Sequence, residues 1–245
     1  MNNESKYEIN LKFERGNIVA LAKKMKALTH VYKIYDEYSA TLDLACKAKC
    51  AHCCTTNVTM TTLEGYKIVD DLIASGKHNV LERIIGTQVI PRFQPLLTTN
   101  RMAELCAADA KVPHEDTAGE WQDCSLLSDS LCSIYTLRPF GCRCFVSRQN
   151  CGETGYADID DFTASVNTVF LQVIENIDAA GCSGNLIDVL QFMASDDNRR
   201  VYEQGKVNCE KNGLIVNWEL KVLMIPPEHR QKIEPILQQL RDIKL

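Results

Sequence analysis

Hydrophobic positions recur at alternating steps of three and four from residue 16 to residue 45. Ile18, Leu21, Met25, Leu28, Tyr32, Tyr35 and Leu42 mark the stripe, which is broken only at Ser39. This spacing predicts one long amphipathic helix. The stripe lasts too few heptads to define a coiled-coil seam, so it reads as the core-facing side of the helix. The helix should deliver its C-terminal end directly into Cys46.

Further along, Val58 and Met60 alternate with threonines, which predicts a short extended piece over Thr55 to Met60. Thr61 or Thr62 then caps a helix that runs through Ser75, with Glu64 in its first turn and Gly76 as its stop. A second helical stretch runs from Asn79 to about Leu97, interrupted at Gly86 and Pro91. Residues 107 to 130 are acidic and turn-rich. From Cys124 to Cys151 there is little periodicity, as expected where ligands rather than a core fix the backbone.

Phe162, Val166, Phe170 and Ile174 fall at four-residue steps and predict a helix over Asp160 to Ala180. Helix resumes from Asn185 to Ala194, after Gly184. Asn212-Gly213 marks a turn. Leu214, Val216, Trp218, Leu220 and Val222 then alternate with mostly polar neighbours, which is a strand pattern. Pro226-Pro227 ends that strand, and Pro235 limits the last helix to roughly its final two turns. Internal repeats and low-complexity segments are absent. These elements add up to a mainly α fold, α+β with minor strands. We expect a single domain over residues 1–245, a helical domain with a cysteine-ligated metal site in irregular loops. Residues 46–145 form the cysteine-cluster region, between N- and C-terminal helical extensions.

The chain has 245 residues, 45% of them apolar, which is enough to bury a core without covalent staples. Its net charge of −5 argues against a general nucleic-acid-binding surface. The first fifty residues are locally basic, with 9 Lys+Arg against 6 Asp+Glu, but the signs are mixed as on the wet side of a helix. The N-terminal MNNESKYEINLKFERGN lacks the apolar core of a secretory signal, and no stretch approaches the about 18 apolar residues of a membrane span. The expectation is a cytoplasmic protein without membrane contact.

Cysteine changes this picture. Of twelve cysteines, eight fall in two tight blocks: Cys46, Cys50, Cys53 and Cys54 in the first, Cys124, Cys132, Cys142 and Cys144 in the second. Thiolates packed this closely repel one another unless a positive centre neutralises them. In a reducing compartment a soft metal ion or an iron–sulfur cluster is the usual neutraliser, and metal is favoured over a disulfide framework. C-x3-C-x2-C can wrap three corners of a polynuclear cluster, closed by Cys54 or a thiolate of the second block. Two knuckles, Cys50/Cys53 and Cys142/Cys144, equally suit a structural zinc. Eight thiolates suffice for two four-coordinate centres, or for one centre with spare cysteines. Adjacent Cys53 and Cys54 point in different directions in most backbone conformations. Pro139 and Gly141 bend the second block so that Cys142 can return towards Cys132. Arg138 and Arg143 are the expected cofactor-binding residues, because their fixed charge lowers thiol pKa and stabilises an anionic centre. Cys106, Cys182 and Cys209 stand alone and read as small buried hydrophobes. Cys151 is a possible replacement ligand. His52 reads as a neighbour of the ligands or an exposed residue, and the other histidines form no spaced pair.

Cys46-x3-Cys50-x2-Cys53-Cys54, the Val58…Thr61/Thr62-x-Glu64 stretch, Cys124-x-Leu-Leu, Cys132-Ser-Ile-Tyr135 and Arg138-Pro139-x-x-Cys142-Arg143 together resemble the CxxCxxCC (YkgJ-type) cysteine-cluster family. The resemblance covers about residues 46 to 145, and Cys144 is an addition to the pattern. It implies zinc or iron chelation through cysteines, with either Zn2+ or a [4Fe-4S] iron–sulfur cluster as the cofactor and no assigned reaction. The flagellin lysine N-methylase group is similar in its cysteine block, which implies a metal-dependent enzyme as the alternative. A methyltransferase needs a donor pocket, and no glycine-rich turn after a strand provides one. C-x3-C-x2-C is also the loop of radical S-adenosylmethionine enzymes, but here it follows a helix, and no alternating βα pattern comes after it. A third class is a disulfide-rich or zinc-finger interaction module, for which the acidic balance disfavours nucleic acid as the partner.

Overall fold

α1 (Ile18–Ser39) is the first element of the computed structural model, which describes residues 18–47, 49–88, 92–115 and 121–243. Leu28, Tyr32 and Tyr35 are buried along its stripe, and Leu21 and Met25 pack against the core from its edge. The helix ends at Ser39, so it does not run into Cys46. The Ser39 hydroxyl donates to Asp36 O and the Thr41 hydroxyl to Tyr38 O. Side chains that bond the last carbonyls in this way stop the ladder.

β1 (Thr59–Thr61) is shorter than the expected extended piece and leads straight into α2 (Thr62–Ala74). Thr61 caps α2 in a full capping box, with Glu64 reaching back to the Thr61 backbone. Gly76 follows in the left-handed region with φ 66°. α3 (His78–Gly86) stops where Gly86 interrupts the sequence, and Thr87 closes it by donating to Arg83 O at 2.8 Å. Residues 89–91, including Pro91, lie outside the described residues. Arg92 to Leu97 is irregular rather than helical, and a helix absent from the sequence reading, α4 (Thr99–Ala107), begins instead at the Thr98 cap.

The aperiodic second cysteine block contains a hairpin, β2 (Leu127–Ser128) with β3 (Leu131–Cys132), turned by Asp129 and Ser130 with positive φ. A 3-10 turn over Tyr135–Leu137 and the short helix α5 (Phe140–Arg143) follow, then α6 (Cys151–Thr154). α7 (Asp161–Ile177) is capped by Asp160 and buries Val166, Phe170 and Ile174. β4 (Cys182–Asn185) pairs antiparallel with β1, and β5 (Ile215–Val216) pairs with the other edge of β4, giving the order β1-β4-β5. α8 (Leu186–Ala194) starts from the Asn185 cap, and α9 (Asp196–Glu203) from the Ser195 cap.

The strand expected over Leu214 to Val222 is reduced to β5. Beyond it, buried polar side chains of α7 replace a neighbouring strand. Glu175 accepts from Trp218 N–H, Asn176 from Leu220 N–H and Gln172 from Met224 N–H, while Gln172 donates to Val222 O. The backbone is satisfied without a sheet. Pro235 also acts differently from expectation: it sits inside α10 (Arg230–Arg241). Burial of Ile233, Ile236, Leu237 and Leu240 on one face offsets the missing hydrogen bond.

The result is mainly α: α8 packs with α2, α3 and α9, α7 packs with α1 and α4, and α1 also meets α2. Among the described residues no helix is long and apolar enough to cross a membrane. Two cysteine expectations are corrected. Cys182 and Cys209 are not lone hydrophobes; they form a disulfide with Cα atoms 5.7 Å apart. Cys106 is exposed rather than buried.

Candidate metal centre

The second cysteine block is positioned by the core. Phe140 is buried, stacking on Phe170 with ring centroids 5.6 Å apart and meeting Tyr35 edge-on at 4.7 Å. Glu64, also buried, accepts from Phe140 N–H at 2.7 Å and from Tyr32 O–H at 2.7 Å through one oxygen. Its second oxygen accepts from Thr61 N–H at 2.9 Å. One carboxylate therefore ties α1, the start of α2 and the turn that carries Cys142. Gly141 lies against β1 so closely that a β-carbon there would overlap Thr59 O. Only glycine lets the turn seat this deeply.

The two blocks meet through the backbone. Cys124 N–H donates to Cys54 O at 2.9 Å, and Thr55 bridges to Asp123. Leu127 N–H returns to Cys124 O, and the hairpin sets Cys132 opposite Leu127. The outcome is a cavity of about 50 Å³ lined by Cys50, Cys53, Cys54, Cys124, Cys132 and Cys142, with Val58, Leu126, Ile134 and Leu186 among its apolar walls. Arg138 and Lys49 also line it, and among the described residues no carboxylate does.

Six of the eight expected ligands thus share one wall. Cys46 and Cys144 do not line the cavity. The Cys46 thiol points at Phe145 O and Ser147 O, 3.9 Å from each, while that of Cys144 turns to Gly141 O at 3.5 Å. Cys151, seven residues beyond Cys144, is buried and starts α6. His52 is exposed.

Burial raises the thiols of Cys46, Cys124, Cys132 and Cys142 above the ordinary value, and lifts Cys144 to about 12. Cys53 is raised first by its hydrogen bond to Cys54 and then by burial; the same bond lowers Cys54. Neighbouring thiolates add to the upward shift at Cys142, whose sulfur feels Cys124 and Cys132. Protons are therefore favoured on Cys53, Cys124, Cys132 and Cys142 unless positive charge stands beside them.

Arg138 supplies part of it. Its guanidinium lies 3.8 Å above the Tyr135 ring and lowers Cys53, Cys132 and Cys142. Arg143 is directed elsewhere: it stacks over Tyr32 at 4.6 Å, donates to Arg138 O at 2.8 Å and pairs with Asp36. It braces the loop rather than the cavity. Arg83 on α3, which sequence reading missed, lowers both Cys124 and Cys132, and among the described residues its buried Nε has no hydrogen-bond partner. Only the three-dimensional return of α3 onto the hairpin marks it out; its sequence context is an ordinary amphipathic helix.

Among the described residues no three Cys, His, Asp or Glu side chains converge closely enough to enclose a metal ion as they stand. No family model, curated protein or solved structure matches this chain.

Proposed function

We propose that this chain is a metal-binding protein that holds an iron–sulfur cluster or zinc through its clustered cysteines, in the manner of the CxxCxxCC family. The observation that carries the reading is the cavity walled by six cysteines from three separate segments of chain. The donor set fits the group: it is entirely sulfur, which selects Zn2+, Cu(I) or iron–sulfur centres over harder ions. Arg83 and Arg138 beside it offset the charge of an anionic thiolate centre. Cys50, Cys53, Cys54, Cys124, Cys132 and Cys142 are the residues that would hold it. When bound, a cluster supplies one-electron chemistry and zinc supplies a structural cross-link.

The reading places the protein in the cytoplasm, where ten cysteines outside disulfides persist. The Cys182–Cys209 bond is compatible with that, because Cys182 is fully buried and Cys209 nearly so, beyond the reach of small thiols.

The test is purification without oxygen, a visible spectrum, and iron, sulfide and zinc quantified per chain. Brown protein with matching iron and sulfide identifies a cluster; colourless protein with stoichiometric zinc identifies zinc. Cys50→Ser, Cys53→Ser and Cys142→Ser should each lower metal content. Metal-free protein, or content unchanged in all three variants, overturns the proposal.

A further inference from the structure

We propose that the mouth of the cysteine cavity binds a small apolar carboxylate, with its hydrocarbon body against the rim and its anionic end on Arg138. This goes beyond the metal-binding reading and does not depend on it, because the residues that carry it are not cysteines.

The lining runs from buried to exposed. Val58, Leu126, Ile134 and Leu186 are each no more than 5% exposed and form the floor. Leu131, Tyr135 and Phe145 line the same cavity and are 48%, 41% and 40% exposed. Large apolar side chains left this open around a concave mouth mark a place that receives an apolar surface. The rim is fixed by its own backbone. Ser133 N–H and the Ser133 hydroxyl both donate to Leu126 O, at 2.9 and 3.0 Å, and Leu137 N–H donates to Ile134 O at 2.8 Å. A rim held in this way loses little freedom when a ligand arrives. The space inside, about 50 Å³, exceeds what one water needs and keeps the ligand small.

Charge at the mouth has one sign. Lys49 is exposed and Arg138 half-buried in the lining, while Asp123 and Asp129, the acidic residues nearest to it in sequence, are not part of it. Arg92, Arg143 and Arg148 are each paired with an aspartate, Asp188, Asp36 and Asp158 in turn. Arg138 makes no ion pair among the described residues. Its Nε donates to Tyr135 O at 3.0 Å and its guanidinium stacks on the Tyr135 ring, which leaves the terminal nitrogens of an oriented fork to a carboxylate from outside. A second copy of this chain fits the mouth less well: rim against rim would set Lys49 and Arg138 against their own equivalents.

The experiment is an NMR titration of the whole chain, as purified without oxygen and after chelator treatment, with metal content recorded. The probes are phenylacetate, neutral phenylacetamide and cationic phenethylamine, which share a ring and differ in charge. Phenylacetate should bind about tenfold more tightly than phenylacetamide, the size expected of hydrogen bonds to a charged group, and phenethylamine more weakly than either. Arg138→Gln should abolish the preference for the anion and leave phenylacetamide unchanged, and Arg138→Lys, which keeps the charge but not the fork, should restore part of it. Leu131→Ser should weaken all three probes together. Far-UV circular dichroism confirms that each variant is folded. Equal binding of the three probes to wild type, or a phenylacetate affinity unchanged in folded Arg138→Gln, overturns the proposal. So does a chain that binds none of them; if that chain is a dimer in light scattering and Leu131→Asp makes it a monomer, the rim belongs to a second copy. A metal-free chain that still prefers phenylacetate removes the metal-binding reading and leaves this one standing.

Discussion

Glu64 Oε1 accepts a hydrogen bond from Phe140 N–H at 2.7 Å, across 76 residues of sequence. Both residues are buried, and the same oxygen holds Tyr32 O–H. A helix-capping residue is thereby also the latch of the cysteine turn. Glu64→Ala leaves Phe140 N–H, Tyr32 O–H and Thr61 N–H without their partner and removes the capping box. An unsatisfied buried group costs about 1–3 kcal/mol and a lost cap about 1, so the variant should lose roughly 3 kcal/mol or more in urea denaturation. A loss under about 1 kcal/mol would contradict the latch.

Gly141→Ala tests the seating of the turn without touching a cysteine. A β-carbon at 141 meets the backbone oxygen of Thr59, which cannot swing aside as a side chain can. The turn must lift off β1, and overpacking of this kind costs typically 1–3 kcal/mol. We expect the helical circular dichroism of the variant to match wild type while its metal content falls. Equal metal content in the two proteins would show that the turn's depth is irrelevant to the site.

The Cys182–Cys209 bond closes a loop with a sequence separation of 27. A loop of this size stabilises by roughly 3–4 kcal/mol in the chain-entropy account. Cys182→Ala/Cys209→Ala should lower stability by that order while leaving metal content alone. Thiol titration of denatured, chelator-treated protein should count ten thiols before reduction and all twelve after it. Twelve before reduction would rule the bond out.

Stability should fall as the solution is brought from mildly acidic to neutral. Burial raises the Glu175 carboxyl from its ordinary 4.5 to about 7, despite the hydrogen bonds from Thr98, Asn100 and Trp218 that favour its charged form. Between those values the folded protein keeps a proton that the unfolded chain has released. The stability gained is complete below pH 4.5 and is lost as pH rises through 7. A shift of this size is on the order of 3 kcal/mol. Glu175→Gln, which imitates the protonated acid, should flatten the difference between urea midpoints at about pH 5 and about pH 8. Parallel profiles for the two proteins would remove Glu175 as the cause.

The sequence exposes what is local. A cap at Thr61 or Thr62 with Glu64 in the first turn, the Gly76 stop, helix starts at Asp160 and Asn185 and the four-residue steps of α7 each need only a few neighbouring residues to act, and each is legible. The cysteine blocks were legible as blocks for the same reason. What was hidden depends on distant partners. Leu214 to Val222 has a strand's alternation, but its backbone bonds go to Gln172, Glu175 and Asn176 on α7. Cys209 reads as isolated until β4 brings Cys182 to it. Arg143 stands among cysteines yet turns to Asp36 and Tyr32, while Arg83, far upstream, joins Arg138 in lowering Cys132 and also lowers Cys124. Charge beside a thiol in sequence marks Arg138 correctly but not Arg143, and it gives no sign of Arg83.

The aromatic contact of Phe140 with Tyr35 and Phe170 has a thermodynamic corollary. One residue, Gly141, separates a ring in the centre of the domain from a cysteine at the cavity wall, so the turn between them cannot loosen without disturbing both. A ligand gripped by Cys142 in the native state then acts as a linked equilibrium of the entire domain, worth about 2.7 kcal/mol at a hundredfold excess over its dissociation constant. Melting temperature becomes a direct gauge of occupancy, and a chelator titration followed by heat would read the affinity of the site without any spectroscopic signal from the metal.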